Sequence, residues 1–406
     1  MKQLSQPTRR VALACAVALG TNAVLVACGG GGGDPGSPGT LTPNAASSYS
    51  QGAITGFGSV FVGGVRFDDS SASFSDDDGN AKTRGDLKLG MMVEVDAGNI
   101  DRAAASALAL RIRLGNEIVG PVGTVDIAAS TVVVLGQTVL VTPSTVFDES
   151  LAGGLSAVRA GQVLEVYGIL DPAAGRVVAT RIELEDNALA YKLRGAIAGI
   201  NTTAKTFTIN GQTVSYASLP GAQVPPGLAN GQIVRVRLQT VQVGGAWVAT
   251  ALRGGLRLPE GRPEAQLEGV ITQFTSSASF EVNGLKVDAS KAAFPDGAAG
   301  IVLGARVEVS GAVDNGVLVA TRVELDGRRL TELRPLELRG DIGNLNTSAK
   351  TFALRGVTVW YGGTVEFKNG SAAQLVNGSR VEVKGVLSTD RTRLEARRIE
   401  FKAAGS

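Results

Sequence analysis

The sequence predicts an all-β protein of five tandem small β-barrels, each of about 70 residues. Three observations carry this prediction. Landmark phrases recur five times in one order, and turn-forming glycines stand between alternating apolar residues. Helical periodicity is nearly absent. The composition agrees: 406 residues include 54 glycines, 44% apolar residues and 5% aromatics. That balance suits short Val/Ile/Leu strands joined by tight turns.

The chain opens with "MKQLSQPTRR", which carries Lys2, Arg9 and Arg10 and no acid. An apolar run from Val11 to Ala27 follows and stops at Cys28 and a glycine run. A basic start and a short apolar stretch ending in small residues read as an export signal, residues 1–27. The run is shorter than the ~20 residues of a bilayer span. Residues 28–48, rich in Gly, Pro and Ser, read as a flexible tether.

"LVAC", Leu25 to Cys28, resembles the lipobox of bacterial lipoproteins. The resemblance implies cleavage before Cys28 and a diacylglycerol on its thiol, so Cys28 is the expected lipidation site and a membrane the expected partner. An ordinary cleaved signal and an uncleaved anchor are the alternatives. Cys15 leaves with the signal, and a capped Cys28 leaves no free thiol or disulfide. Gly29 stands where some lipoproteins carry an inner-membrane retention aspartate, so the Gram-negative sorting rule favours the outer membrane.

The repeats begin near residue 49. "GxxVEV"-type phrases start at Gly90, Gly161, Gly231, Gly304 and Gly378, at spacings of 71, 70, 73 and 74. Gly-x-Ile or Gly-x-Val openers lie at Gly52, Gly120, Gly195, Gly269 and Gly340. "VVATRIEL" closes unit two from Val177, with close copies in units four and five. Units one and three carry altered versions, "ALALRIRL" from Ala107 and "WVATALRG" from Trp247. The units are therefore 49–118, 119–188, 189–262, 263–330 and 331–406.

Each phrase has a physical reading. In "FTINGQTVSY", Asn210-Gly211 separates alternating apolar residues, the signature of a two-residue hairpin turn with positive φ at both positions. Gly136, Gly284 and Gly356 repeat it, with Gly64 a weaker case, and Gln212 beside Gly211 reads as exposed. In "RVEV" the valines face inward and the charged residues face water. In "VVATRIEL" the apolar parity switches between Ala179 and Ile182, which predicts a bulge near Thr180-Arg181 or a strand covered on both faces. Short helices are conceivable from Asn99 and from Ser150.

These openers, hairpins, "GxxVEV" and "ATRIEL" phrases resemble a bacterial family of tandem small OB-like β-barrels, found in secreted proteins and lipoproteins and catalogued as a domain of unknown function. The resemblance implies fold and location, and no catalytic residue. Unit three departs most: "VPPG" from Val224 replaces the phenylalanine present as Phe74, Phe147, Phe294 and Phe367.

Histidine is absent, which removes the commonest general base and metal ligand. The chain has 39 basic and 37 acidic residues, three of the basic ones in the signal, so no pull toward nucleic acid follows. Asp76, Asp77, Asp78 and Asn80 form the most acidic stretch. Its spacing is not that of an EF-hand, and a solvated turn is the simpler reading, with a cation at 76–80 the alternative. Trp360-Tyr361 follows a hairpin, so one ring should face the core and the other solvent; Trp247 reads as packing. No cofactor, metal or catalytic residue is expected. The reading is a non-enzymatic lipid-anchored envelope protein, a scaffold or interaction module for an envelope partner. A multivalent binder of polysaccharide or another extended ligand is the alternative, and a carboxylate-dependent hydrolase a third.

Overall fold

The structure, a computed structural model, describes residues 46–57, 59–151, 153–171, 174–325, 336–355, 357–388 and 393–402. Barrel two shows the plan. Its strands are Ile118–Asp126, Thr131–Val134, Gln137–Phe147, Val163–Asp171 and Arg176–Leu184. They close in the order first, second, third, fifth, fourth, first. Every pair is antiparallel except the third with the fifth. Barrel four closes the same way from Arg262–Ser276 to Val317–Leu325. Barrels one, three and five repeat it with the first strand interrupted, as in Tyr191–Ala196 and Ala198–Asn201.

The landmarks turn out to be bonded to each other. The third residue of each opener is buried: Ile54, Val122, Ile197, Ile271 and Ile342. Its carbonyl accepts from the N–H of the glycine that starts "GxxVEV", at 2.9, 2.9, 2.7, 2.9 and 2.7 Å. Those glycines, Gly90, Gly161, Gly231, Gly304 and Gly378, all have φ between +79° and +86°, a region that strains side chains. The recurrent glycine thus allows the chain to turn while its N–H closes the barrel.

The hairpins form as expected. Gly64, Gly136, Gly211 and Gly284 have φ from +73° to +81°, and the residues before them are also positive. Gly356 lies outside the described residues. Gln212 is half-buried rather than exposed, because its side-chain oxygen accepts from Trp247 Nε1 at 3.1 Å.

The bulge is present in every barrel. In barrel two, Tyr167 faces Arg181 and Gly168 faces Ala179, which leaves Thr180 as the extra residue. Leu110, Thr250, Thr321 and Arg397 are the extra residues elsewhere. The bulge returns Ile182 to the core side, and Val178 and Thr180 are also covered in barrel two. Opposite it, Gly168, Gly311 and Gly385 lie so close to the bulged strand that a Cβ would sit 2.5, 2.1 and 2.3 Å from a carbonyl oxygen. Ala97 and Leu238 hold this place in barrels one and three, whose closing phrases also differ. Of the helix expectations, the stretch from Asn99 is turn and strand, and that from Ser150 is 3-10 turns.

The apolar residues that flank the central charge of this phrase, valines except for Leu164 of barrel two, point inward in all five barrels and are fully buried. Their charged neighbours do not simply face water: Glu94 is buried, and Glu165, Arg235, Glu308 and Glu382 are half-buried. Arg235 meets Asp77 of barrel one, whereas Glu382 meets Lys384 and Lys402 of its own barrel. The first strands of barrels two and three pair (Lys192 opposite Val119). Ser48–Ala53 of barrel one runs parallel to the first strand of barrel four. Gly56–Phe57 of barrel one pairs with Leu336–Asp341 of barrel five. One apolar core joins barrels one and five, another joins two and three, and Tyr49 of barrel one enters the core of four. The barrels form a cluster with contacts between units distant in sequence.

Gly311→Ala is expected to destabilise the protein by about 1–3 kcal/mol, since backbone rather than a movable side chain blocks the methyl. Gly211 has open space around it, so Gly211→Val tests conformation alone and should cost roughly 1–2 kcal/mol. Chemical denaturation checks the first, and hydrogen exchange across residues 191–254, with exposed Thr240→Val as control, checks the second. Equal protection in Gly211→Val and Thr240→Val would show that the turn does not constrain barrel three.

Candidate functional site

The outer face of each barrel carries a row of three residues: the one before the opener glycine, the centre of "VEV" or its counterpart, and the second from last of the closing phrase. In barrel three this row is Arg194, Arg235 and Arg253, directly opposite one another on adjacent strands. Like charges so placed repel. Other barrels supply the compensation. Asp77 of barrel one, 6% exposed, binds Arg235 Nη1 at 2.6 Å and Lys192 Nζ at 3.1 Å. Asp78 binds Lys192 at 2.9 Å. Arg253 donates to the carbonyls of Asp77 and Asp78 at 3.3 Å. Glu117, at the entry to barrel two, binds Arg194 at 2.6 Å, and Arg194 also donates to the carbonyl of Asn283 in barrel four at 3.3 Å.

The stretch at 76–80 is therefore a plug docked into barrel three, not a solvated loop. Asp76 shapes its tip by accepting from the N–H groups of Asp78 and Asn80 and from Asn80 Nδ2. Gly79 makes the turn at φ +89°. Among the described residues, no group of three or more His, Cys, Asp or Glu is arranged to hold a metal ion. Burial would push the Asp76 carboxyl up, but the hydrogen bonds from Asn80 outweigh it and hold it below the usual range. Burial would push the Lys192 ammonium down, but Asp77 and Asp78 outweigh it and raise it.

Sequence reasoning missed Arg235 and Arg253. The signal was present as charge reversal: Arg235 stands where four sisters have glutamate, and Arg253 stands where three sisters do. The altered phrase of barrel three is a specialised docking surface. Barrel one is similar, with Arg113 paired to the buried Glu94, which also accepts from Tyr49 Oη at 3.1 Å.

Beside the plug, residues of barrels one to four line a cleft of about 520 Å³ that opens to solvent, with Gln51, Glu94, Asn116, Glu117, Arg194 and Arg235 among its lining. Burial pushes the Glu117 carboxyl up against the pull of Arg194. On another face, Glu165 and Glu183 stand opposite each other across two strands of barrel two. Glu165 accepts from Asn116 Nδ2 at 2.6 Å and Tyr167 Oη at 2.8 Å; Glu183 accepts from Arg181 Nε at 2.5 Å. Both carboxylates are thus already engaged. Tyr361 packs inward against Phe352, and Trp360 lies half-buried under Arg393, whose guanidinium is 5.1 Å from the ring centre. Trp247 is buried edge-on against Tyr191. Cys28 lies outside the described residues.

Five strands closed with a parallel third–fifth pair define a small Greek-key barrel of OB-like topology. The chain belongs to DUF5666, described as a domain of unknown function, whose profile matches residues 119–183, 194–253, 268–324 and 339–400, more than half of the chain. The matches cover barrels two to five. No curated protein sequence matches the chain.

Asp77→Asn should leave Arg235 and Lys192 without a full counter-charge and cost on the order of 3 kcal/mol, read by chemical denaturation. A loss no larger than ~0.5 kcal/mol, the value for ordinary surface changes, would contradict the docking account. The sign of the pH effect follows from Asp76. Its lowered pKa contributes stability above the ordinary carboxylate range, and this is lost as pH falls through the lowered value. Exchange protection at 73–82 should therefore weaken below about pH 4.

Proposed function

We propose that the chain is a non-enzymatic, lipid-anchored envelope protein whose barrel cluster acts as a scaffold or interaction module. One observation carries the anchor: "LVAC" closes an apolar run after a basic start, and a Gly/Pro/Ser tether follows. The lipid on Cys28 would hold the cluster at a membrane, with the outer membrane favoured by Gly29. The barrel contacts support the scaffold role. The outward charges Lys192, Arg194 and Arg235 of barrel three are spent on neighbouring barrels, which favours a rigid platform.

The polysaccharide reading calls for a row of exposed aromatic rings. Phe274, at 38% exposure, is the one aromatic among the described residues with more than a third of its surface open. The scaffold reading is therefore preferred.

Cys28→Ala should abolish labelling by a clickable fatty acid and leave a precursor of higher mass in the cell. Labelling equal to that of the unaltered protein would remove the anchor from the proposal. Pull-down from detergent-solubilised envelopes, with the full chain as bait, tests the interaction role.

A further inference from the structure

Barrel four differs from its sisters in one stretch that the contacts within the cluster do not use. After the opener, residues 272–280 read "TQFTSSASF", with no glycine, proline or charge. The same stretch carries Gly123 and Asp126 in barrel two, Gly199 and Lys205 in barrel three, and Gly343 and Lys350 in barrel five. In barrels three and five the first strand is also interrupted, and Gly199 and Asn344 take positive φ, +55° and +48°. In barrel four that strand runs unbroken from Arg262 to Ser276.

The end of this strand is open along one edge. Ile271 is still bonded there: its N–H donates to the Ala305 carbonyl and its carbonyl accepts from the Gly304 N–H, both at 2.9 Å. Beyond Ile271 that neighbouring chain leaves, and among the described residues 272–276 pair with Ser279–Val282 alone. Gln273, Phe274, Thr275 and Ser276 are exposed. Val302 and Leu303, 48% and 51% exposed, stand just before Gly304, where the neighbouring chain departs. An open edge offers unpaired N–H and C=O groups to a further strand, and proteins blunt such edges with charges, bulges or short strands. Barrel four keeps the bulges, at Thr272 and Thr275, without a charge.

Two observations select the occupant. Among the described residues, each strand pairing between barrels joins two first strands: 118–119 with 192–193, 48–51 with 264–267, and 56–57 with 337–338. The open edge continues one of these strands. It is also complementary to itself. Turned about a two-fold axis, it meets its own copy antiparallel, Phe274 against Phe274 and Gln273 against Thr275, with no like charges opposed.

We propose that barrel four pairs edge to edge with barrel four of a second copy of this chain, through residues 272–276, to form a two-fold dimer with Phe274 at its centre. A contact of this size is weak and reversible. It goes beyond the scaffold role and needs no lipid anchor.

Sedimentation velocity of the full-length protein in detergent tests it. The dimer fraction should rise with protein concentration. Phe274→Lys sets two ammonium groups opposite each other, and Gln273→Lys adds a charge while keeping the ring. Each should raise the dissociation constant about tenfold or more. Thr240→Val, on barrel three, should leave it unchanged. Circular dichroism of both lysine variants should match that of the unaltered protein, which separates a blocked edge from misfolding. Phe274→Cys tests the register: an oxidant should join two copies through residue 274, identified by peptide mapping, and should not join copies carrying Thr240→Cys. A protein that stays monomeric at every concentration overturns the proposal. So does a dimer that survives both lysine variants, which means association through another face or a shared micelle, and so does equal cross-linking at residues 274 and 240.

Discussion

Three arginines facing one another on adjacent strands cannot be left to themselves, and the arrangement of this molecule answers that problem. Arg194, Arg235 and Arg253 make barrel three a concentrated positive face. Asp77, Glu117 and the Asn283 carbonyl reach it from three other barrels. The partners are buried, so screening by solvent is weak and loss of either side leaves an uncompensated charge. Apolar contact alone would let the barrels slide over one another. Ion pairs with fixed donors assign barrel three one position against barrels one and two, and strand pairing holds barrels four and five to barrel one.

Duplication explains how such a lock arises. A repeated unit brings an identical outer row each time, and identical acidic rows repel when barrels pack. Reversal of charge in barrel three, with an acidic loop in barrel one, converts repulsion into attraction between two chosen copies. The interior phrases stay constant because they serve each barrel separately: the opener isoleucine bonds the turning glycine, and the bulge keeps the closing strand on its core.

Much of this was legible in the sequence. The landmarks, the Asn210-Gly211 turn and the parity switch at Thr180 follow from local rules of φ and strand alternation, and all are found. The bond from the Gly231 N–H to the Ile197 carbonyl was not legible, because it joins two phrases whose recurrence shows only that each is needed. The acidic plug was misread for a related reason. A run of aspartates looks solvated until its partner is known, and Lys192, Arg235 and Arg253 lie more than a hundred residues away. Glu94 was read as water-facing because periodicity distinguishes inside from outside of a barrel but not free surface from a covered one. Burial between barrels belongs to the assembly.

The pairing of Gly56–Phe57 with Leu336–Asp341 sets an order of events for a chain made from its N-terminus. The first barrel is complete on the ribosome, or across a membrane, long before residue 336 exists. Until then its faces toward barrels four and five stay open, Tyr49 and Phe57 included, and close only through contacts spanning more than two hundred residues. Such long loops make docking slow, and exposed apolar strands invite aggregation while they wait. The N-terminal barrel is the part of this protein most dependent on a holding chaperone, and the last to reach its final burial.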